Sequence, residues 1–344
     1  MKLLLQVSLF AFAILLPLVL LFKLFYPDTG VLNDEFLKLV QEQHFKNEPF
    51  KSLRSAIECP DPTDKSTCLY IIDRIGYHTN GSWFVARFIT AEPSLDRGTL
   101  SISKLLKPNV QSQSTIDTAK WQVDVSTLDP LIPNGMQFAS LFNSGHFPLN
   151  TNFTGQFHFI GVATGGFMSY VAHYFKNLNL TGVDIDPHSE QLAKKWFGYT
   201  DNNRSKIVVE DGAKYIKAMA KRGETSDAVL IDACYNHEPD HGVFCPVDAL
   251  KTPEFFENLS KVVGPRGITA FNLFDVNGTP EKYKAFQDSV LEHFGHCKLL
   301  DKLEMVRNAF LLCANYDILT NTVDQDEVQD FLTELRLENI LVSA

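Results

Sequence analysis

Four stretches of the sequence set glycine or carboxylate at the ends of apolar runs. They are Gly161-Val162-Ala163-Thr164-Gly165-Gly166, Gly182-Val183-Asp184-Ile185-Asp186-Pro187, Glu210-Asp211-Gly212 and Ile231-Asp232. Glycines between a strand and a helix let the backbone approach a ligand, and the helix N-terminus supplies free N–H donors. A glycine turn there also serves close packing, so this signal is weak alone. A carboxylate ending the next strand, about twenty residues on, is placed to accept the hydroxyl protons of a ribose. Asp184 takes that role and Asp186 caps the helix after it; the competing reading has both aspartates only solvating a helix start. Asp211-Gly212 stands where an adenine amino group would be received. Asp232 ends the fourth run, where a substrate would meet the reactive carbon, although a lone strand-end aspartate can also orient a loop.

The elements around these positions alternate. Strand-like runs Phe157–Val162, Leu180–Asp184, Lys206–Val209, Ala228–Asp232 and Gly267–Leu273 are separated by helix-like Phe167–Phe175, Ser189–Trp196, Ala213–Lys221 and Glu254–Val262. Helix Glu281–Phe294 and strands Cys297–Leu300 and Asn308–Ala314 follow, the last two close enough to pair antiparallel. Such alternation demands a mostly parallel sheet with helices on both faces, an α/β domain over 135–318. Ligands of such sheets lie beyond the carboxyl ends of the strands, which is where the four stretches fall. The tail, 319–344, holds a helix opening at Asp324 with Glu327 in a capping box and Val328, Phe331, Leu332 and Leu335 as one apolar stripe.

Upstream, 59–134 reads as a small antiparallel β domain. Leu69–Ile72 and Trp83–Ile89 are joined across Asn80-Gly81, a strong hairpin signal, and strand-like Gly98–Leu105 and Trp121–Val125 follow. Residues 24–58 form a membrane-proximal segment with one amphipathic helix opening at Asn33-Asp34. Residues 1–23 contain no charge from Leu3 to Phe22, and roughly 20 such residues match the hydrocarbon thickness of a bilayer. A transmembrane signal anchor is therefore expected over a cleaved signal peptide, since no small-residue cleavage site closes the run.

With 344 residues, 45% of them hydrophobic, the chain can bury a large core. Its formal charge of -10 argues against a nucleic-acid partner. Six cysteines can be paired locally, Cys59 with Cys68, Cys234 with Cys245 and Cys297 with Cys313, or can remain buried thiols. Sequons at Asn80, Asn152, Asn179, Asn203, Asn258 and Asn277 lean the same way as paired cysteines, toward a single-pass membrane glycoprotein with a lumenal domain. His237-Glu-Pro-Asp-His241 tempts a metal assignment, but Pro239 breaks the helical spacing that would face both histidines one way, so no metal is expected.

In this order the motifs Phe157–Gly166, Gly182–Pro187, Val209–Gly212 and Val229–Asp232 resemble those of class I S-adenosylmethionine-dependent methyltransferases, in their spermidine-synthase-like branch. Val183–Asp232 resembles the C-terminal half of methyltransferase-like protein thirteen, an elongation-factor methyltransferase. Trp196-Phe197-Gly198, Tyr215-Ile216, Phe244-Cys245-Pro246 and Phe271-Asn272-Leu273 extend the likeness over roughly 136–318, about half the chain. The resemblance implies a Rossmann-like seven-stranded sheet with an antiparallel last strand, and S-adenosylmethionine across its first three strands. It assigns Gly161 and Gly165 to the methionine part, Asp184 to the ribose, Asp211 with Gly212 to the adenine side, and Asp232 to the substrate, where it could accept the proton of an amine.

Two departures bear on activity. Val162 and Ala163 add side chains where the family's backbone approaches the cofactor. Aminopropyltransferases of the branch carry a second aspartate three positions after the first, and here that position is Tyr235. A dicationic diamine needs paired carboxylates to replace its hydration. Methyl transfer to an unknown protein or small-molecule acceptor therefore ranks above polyamine synthesis, with a non-catalytic membrane-tethered binding protein as the third reading. The oligomeric state is left open, a homodimer included.

Overall fold

The computed structural model describes residues 54–337 except 62, 64–67, 78–82, 92–98, 108–116, 130–132, 236–243, 276–279, 301–307 and 321–322. The apolar run 3–22, the helix expected from Asn33, the tip at Asn80-Gly81 and the His237–His241 loop lie outside the described residues. Among the described residues no helix is long and apolar enough to cross a membrane.

The first sheet is antiparallel, in the order β1 (Arg54–Glu58), β2 (Leu69–Tyr77), β3 (Trp83–Thr90), β4 (Thr99–Leu105). Tyr77 pairs with Trp83, so β2 and β3 form the hairpin that Asn80-Gly81 predicts. Two expectations need correcting. β1 falls inside the segment assigned to the membrane-proximal region; it is five residues long and takes its order from pairing with β2, beside the Cys59–Cys68 bridge. Trp121–Val125 is not a strand. A 3-10 turn at Thr118–Lys120 precedes it, and the Asp124 carboxylate accepts from Ser126 N, Ser126 Oγ and Thr127 Oγ1, turning the chain after one bridge between Leu105 and Val123.

A buried ion pair joins this sheet to the next unit. Arg87 and Asp73, cross-strand partners 2% and 0% exposed, make a two-pronged contact at 2.8 Å for each prong. The guanidinium also donates to Trp196 O and Thr118 O, both at 2.7 Å. All three nitrogens of the fork are thereby bonded, the condition under which a buried pair is tolerated.

The second sheet has seven strands in the order β10-β11-β9-β8-β5-β6-β7. They are β5 (Gly155–Ile160), β6 (Leu178–Asp184), β7 (Ser205–Val209), β8 (Ala228–Ile231), β9 (Ile268–Phe274), β10 (His296–Leu300) and β11 (Asn308–Ala314). β9, β8, β5, β6 and β7 are parallel, and β11 runs antiparallel to both β9 and β10. The chain fills β5, β6 and β7 outward, then crosses to β8 on the other side of β5, so the switch point lies between β5 and β8.

Helices α1 (Pro133–Asn143), α2 (Gly166–Tyr174), α3 (Pro187–Trp196), α4 (Gly212–Arg222), α5 (Pro253–Val263), α6 (Pro280–Leu291) and α7 (Gln325–Glu334) accompany the sheet. One apolar cluster gathers Phe138, Phe142, Phe157, Phe175 and Phe331; another, Phe255, Phe256, Leu259 and Phe271. Alternate residues of β9, such as Ala270 and Phe271, serve the two clusters, as strand geometry requires. Helix α1 has no counterpart in the sequence reading. Its residues from Gly135 to Asn143 are all buried, polar Gln137, Ser140 and Asn143 included, which erases the apolar stripe that would betray it. The tail behaves as expected: Asp324 caps α7 by accepting from Asp326 N and Glu327 N, and Val328, Phe331 and Leu332 are buried.

The cysteines form three bridges, Cys59–Cys68, Cys234–Cys245 and Cys297–Cys313. Cys297 and Cys313 are direct partners across β10 and β11.

Candidate active site

The end of β5 turns through Gly161, whose φ is +89°. A Cβ there would lie 2.4 Å from Asp232 O and 2.7 Å from Ala233 Cα. Gly161 is glycine because the chain leaving β8 passes directly against it, and this contact brings Asp232 to the glycine turn. Gly165 caps α2 in the left-handed region, φ +65°, with no side-chain hydrogen bond to the cap, which leaves the first-turn N–H groups of the helix to a ligand. Gly212 opens α4 under Ile160, whose Cγ2 would be 2.4 Å from a Cβ.

Val162 does not project into the turn's concavity. Its Cγ2 lies 2.6 Å from the Cβ position of Gly182, beside Met168 Sδ at 2.4 Å, so its side chain fills the space a glycine leaves in β6. Ala163 holds the left-handed backbone, φ +48°, that glycine would take without strain. Asp184 stabilises that conformation: Oδ2 accepts from Val162 N at 2.9 Å and Ala163 N at 3.0 Å, while Oδ1 accepts from Asp186 N at 3.0 Å. A carboxylate has about four acceptor sites. Asp184 thus clasps the turn, and Oδ1 is the oxygen with more capacity left for a ligand.

Asp186 caps α3 through His188 N, the role read from sequence. Asp211 caps α4, its Oδ1 accepting from Ala213 N and Lys214 N at 2.9 and 3.2 Å. Between these acids, Ile185 and Val209 are 71% and 42% exposed, two large apolar side chains on the rim at the ends of β6 and β7. The small sheet reaches the same turn, where Ser101 Oγ and Thr164 Oγ1 are 2.8 Å apart.

Asp232 stands at the switch point, held by residues that the sequence reading did not assign to the site. Asn134 Nδ2 from α1 donates to Oδ2 at 2.5 Å, and Asn272 Nδ2 from β9 donates to Oδ1 at 2.6 Å. Gln137 Nε2 donates to Ile231 O and Ala270 O, tying the ends of β8 and β9 together. Burial pushes the Asp232 carboxyl up to about 6, against the two amide donors that favour its charged form, although part of the residue still reaches solvent. Both donors are invisible to motif reading: Asn134 sits on α1, which periodicity does not mark, and Asn272 enters the sequence reading only as a mark of resemblance.

The second-acid position, Tyr235, has its hydroxyl accepting from Asp248 N at 3.1 Å, and Asp248 itself pairs with Lys251. Asp232, Cys234 and Cys245 form the cluster of metal-ligand atoms among the described residues, but the two sulfurs are bonded to each other and offer no thiolate. A cavity of about 390 Å³ lies on the other face of β9, lined by Leu273, Tyr283 and Phe286 with Lys251 and Lys282.

A glycine turn, acids ending successive parallel strands and an antiparallel strand inserted next to the edge are the features of class I S-adenosylmethionine-dependent methyltransferases in the spermidine-synthase-like branch, and comparison upholds that resemblance. The human eEF1A lysine and N-terminal methyltransferase is 28% identical over 117 residues, 33% of this chain and 17% of that protein. The polyamine aminopropyltransferase of Chromobacterium violaceum is 29% identical over 136 residues, 39% of this chain and 47% of that one. The chain thus spans less than half the length of these relatives. No protein-family model matches it. Among solved structures, human methyltransferase-like protein 13 in complex with SAH is similar at a TM-score of 0.47 and 21% identity, covering 61% of this chain and 91% of that one. Spermidine synthase from Thermotoga maritima is similar at 0.47 and 14%, covering 85% and 91%. The expected lumenal, membrane-anchored placement is corrected by the methyltransferase relatives, which are named for action on eEF1A; among the described residues, which leave out the run 3–22, no helix is long and apolar enough to cross a membrane.

Proposed function

We propose that the chain is an S-adenosylmethionine-dependent methyltransferase acting on an amine. The observation that carries this reading is the single carboxylate of Asp232, set at the switch point against the glycine turn with its pKa raised to about 6. Such a group is ionised near neutrality, so it can hold an ammonium in place and serve as the acceptor of its proton as the nitrogen becomes a nucleophile.

The residues around it suit the cofactor. Asp184 Oδ1 has capacity for a ribose hydroxyl, Asp211 Oδ2 is the oxygen its helix cap does not use, and Ile185 with Val209 offers apolar surface to a purine. Gly161 and Gly165 keep the turn open, and the uncapped start of α2 suits a carboxylate. The departure at Val162 leaves this space clear because its side chain is housed over Gly182. Bound S-adenosylmethionine supplies a methyl group already activated on a sulfonium, so the protein's task is to align the acceptor and exclude water. Asp232 orients the amine and receives its proton.

Tyr235 argues against polyamine synthesis, since its hydroxyl is engaged with Asp248 N and brings no second charge to a diamine. A protein amine is the acceptor class of the eEF1A methyltransferase relatives, so eEF1A is the first acceptor to test. The chain is incubated with methyl-labelled S-adenosylmethionine and eEF1A, and separately with decarboxylated S-adenosylmethionine and putrescine. Label in the protein, lost in Asp232→Asn, supports methyl transfer. Spermidine formation overturns it in favour of aminopropyl transfer.

A further inference from the structure

The carboxylate of Asp232 ends a relay of two asparagines and accepts from a third on its other side. Asn308 Nδ2, on β11, donates to Asn272 Oδ1 at 2.7 Å; Asn272 Nδ2 donates to Asp232 Oδ1 at 2.6 Å; Asn134 Nδ2 donates to Asp232 Oδ2 at 2.5 Å from the opposite side. The polarity of the relay follows from chemistry. An ionised carboxylate only accepts, so Asn272 must turn its NH2 toward Asp232 and its carbonyl away. That buried carbonyl then needs a donor, and Asn308 supplies it.

We propose that Asn308 is a positioning residue for Asp232: it locks the amide of Asn272 so that N–H, never C=O, faces the carboxylate, and with Asn134 it fixes the carboxylate plane for a single amine. The inference rests on Asp232 being the proton acceptor, but the relay itself is a property of the folded chain. Each Asp232 oxygen keeps capacity for one more donor, which suits one ammonium group held in one direction.

Among the described residues the Asp232 carboxylate meets the amides of Asn134 from α1 and Asn272 from β9, with the bridged Cys234 Sγ 3.6 Å from Oδ1, and no charged side chain contributes to its titration. The carboxylate is thus kept ionisable against burial by amides alone. Loss of the relay leaves Asn272 free to rotate its carbonyl toward Asp232, which disfavours the charged form.

The test is the titration of Asp232 by carbon NMR of protein labelled at the aspartate carboxyl, with the resonance assigned by its disappearance in Asp232→Asn. In Asn308→Leu, and in Asn308→Ala as a second variant of smaller volume, the midpoint is expected to rise by about one pH unit; Asn308→Gln, which keeps the donor, returns it toward the wild-type value. At pH 6.5 such a rise lowers the ionised fraction about threefold, and amine turnover with it. A midpoint unmoved in both folded variants overturns the relay. Calorimetry of the wild type with S-adenosylhomocysteine separates the two claims. Binding with an unmoved midpoint removes the relay alone, whereas no binding with a midpoint that follows Asn308 removes methyl transfer and keeps the relay.

Discussion

Replacing Asp232 by asparagine should make the protein more stable at neutral pH relative to acid, by an amount set by the burial of one carboxylate. The group titrates near 3.8 when exposed and is pushed up to about 6 in the fold. Between those values the unfolded chain has released its proton and the folded chain has not, so folding takes up a proton and stability falls as pH rises. Below about pH 4 both states are protonated and the penalty is absent; above about pH 6 it is complete. A gap of about two pH units corresponds to roughly 3 kcal/mol. Asparagine at this site also sets an NH2 against Asn134 or Asn272, but that cost does not depend on pH and cancels when the offset between the two proteins is compared across pH. Urea unfolding followed by tryptophan fluorescence, from pH 4 to 8, measures it. The offset should move in favour of Asp232→Asn by about 2–3 kcal/mol, with nearly all of the change between pH 4 and 6.5. An offset constant within 0.5 kcal/mol (about the limit of such fits) refutes the assignment of Asp232 as a carboxylate held above its ordinary range.

Other expectations rest on separate features. Gly161→Ala forces a Cβ into the backbone of Asp232 and Ala233 at a φ of +89°, and should cost about 4 kcal/mol or abolish folding, read from the denaturation midpoint. Arg87→Met strands the carboxylate of Asp73, which is 0% exposed, and should cost about 3–5 kcal/mol by the same measurement, whereas replacing both partners with apolar residues recovers most of the loss. His146 and His158 are pushed down to about 4 by burial. As pH falls from about 6.5 toward 4 the unfolded state takes up these protons first, so stability drops by up to roughly 3 kcal/mol for each, and His158→Gln should flatten the loss in melts recorded from pH 7 to 4.

Much of this architecture is legible in the sequence because its signals are local. Alternating apolar runs and helices locate β5 to β9 within a few residues, and Asp186 and Asp324 announce the helices they cap. Glycine positions are legible too, since Gly161 and Gly212 answer to close backbone and side-chain approach next to their own strands. What was not legible is what tertiary packing decides. Helix α1 is buried along its whole length, so periodicity does not mark it, and with it Asn134 and Gln137 are lost to motif reading. Asn308 and Asn272 lie 36 residues apart in sequence and meet only because β11 inserts beside β9. Asp184 carries a second role that spacing does not reveal, the support of the left-handed Ala163. Val162, an apparent obstruction when read as a letter in a motif, is accommodated by Gly182, 20 residues on in the chain but on the neighbouring strand and adjacent in space.

Isothermal titration of the purified chain with S-adenosylhomocysteine tests the nucleoside site most directly, with Ile185→Asp as the paired variant because Ile185 is exposed and supports no core contact. Saturable heat at one ligand per chain is expected for the wild type, with affinity lowered at least tenfold in the variant. A folded wild-type protein that evolves no heat, or a variant that binds equally well, contradicts a purine lying across Asp184, Ile185 and Val209.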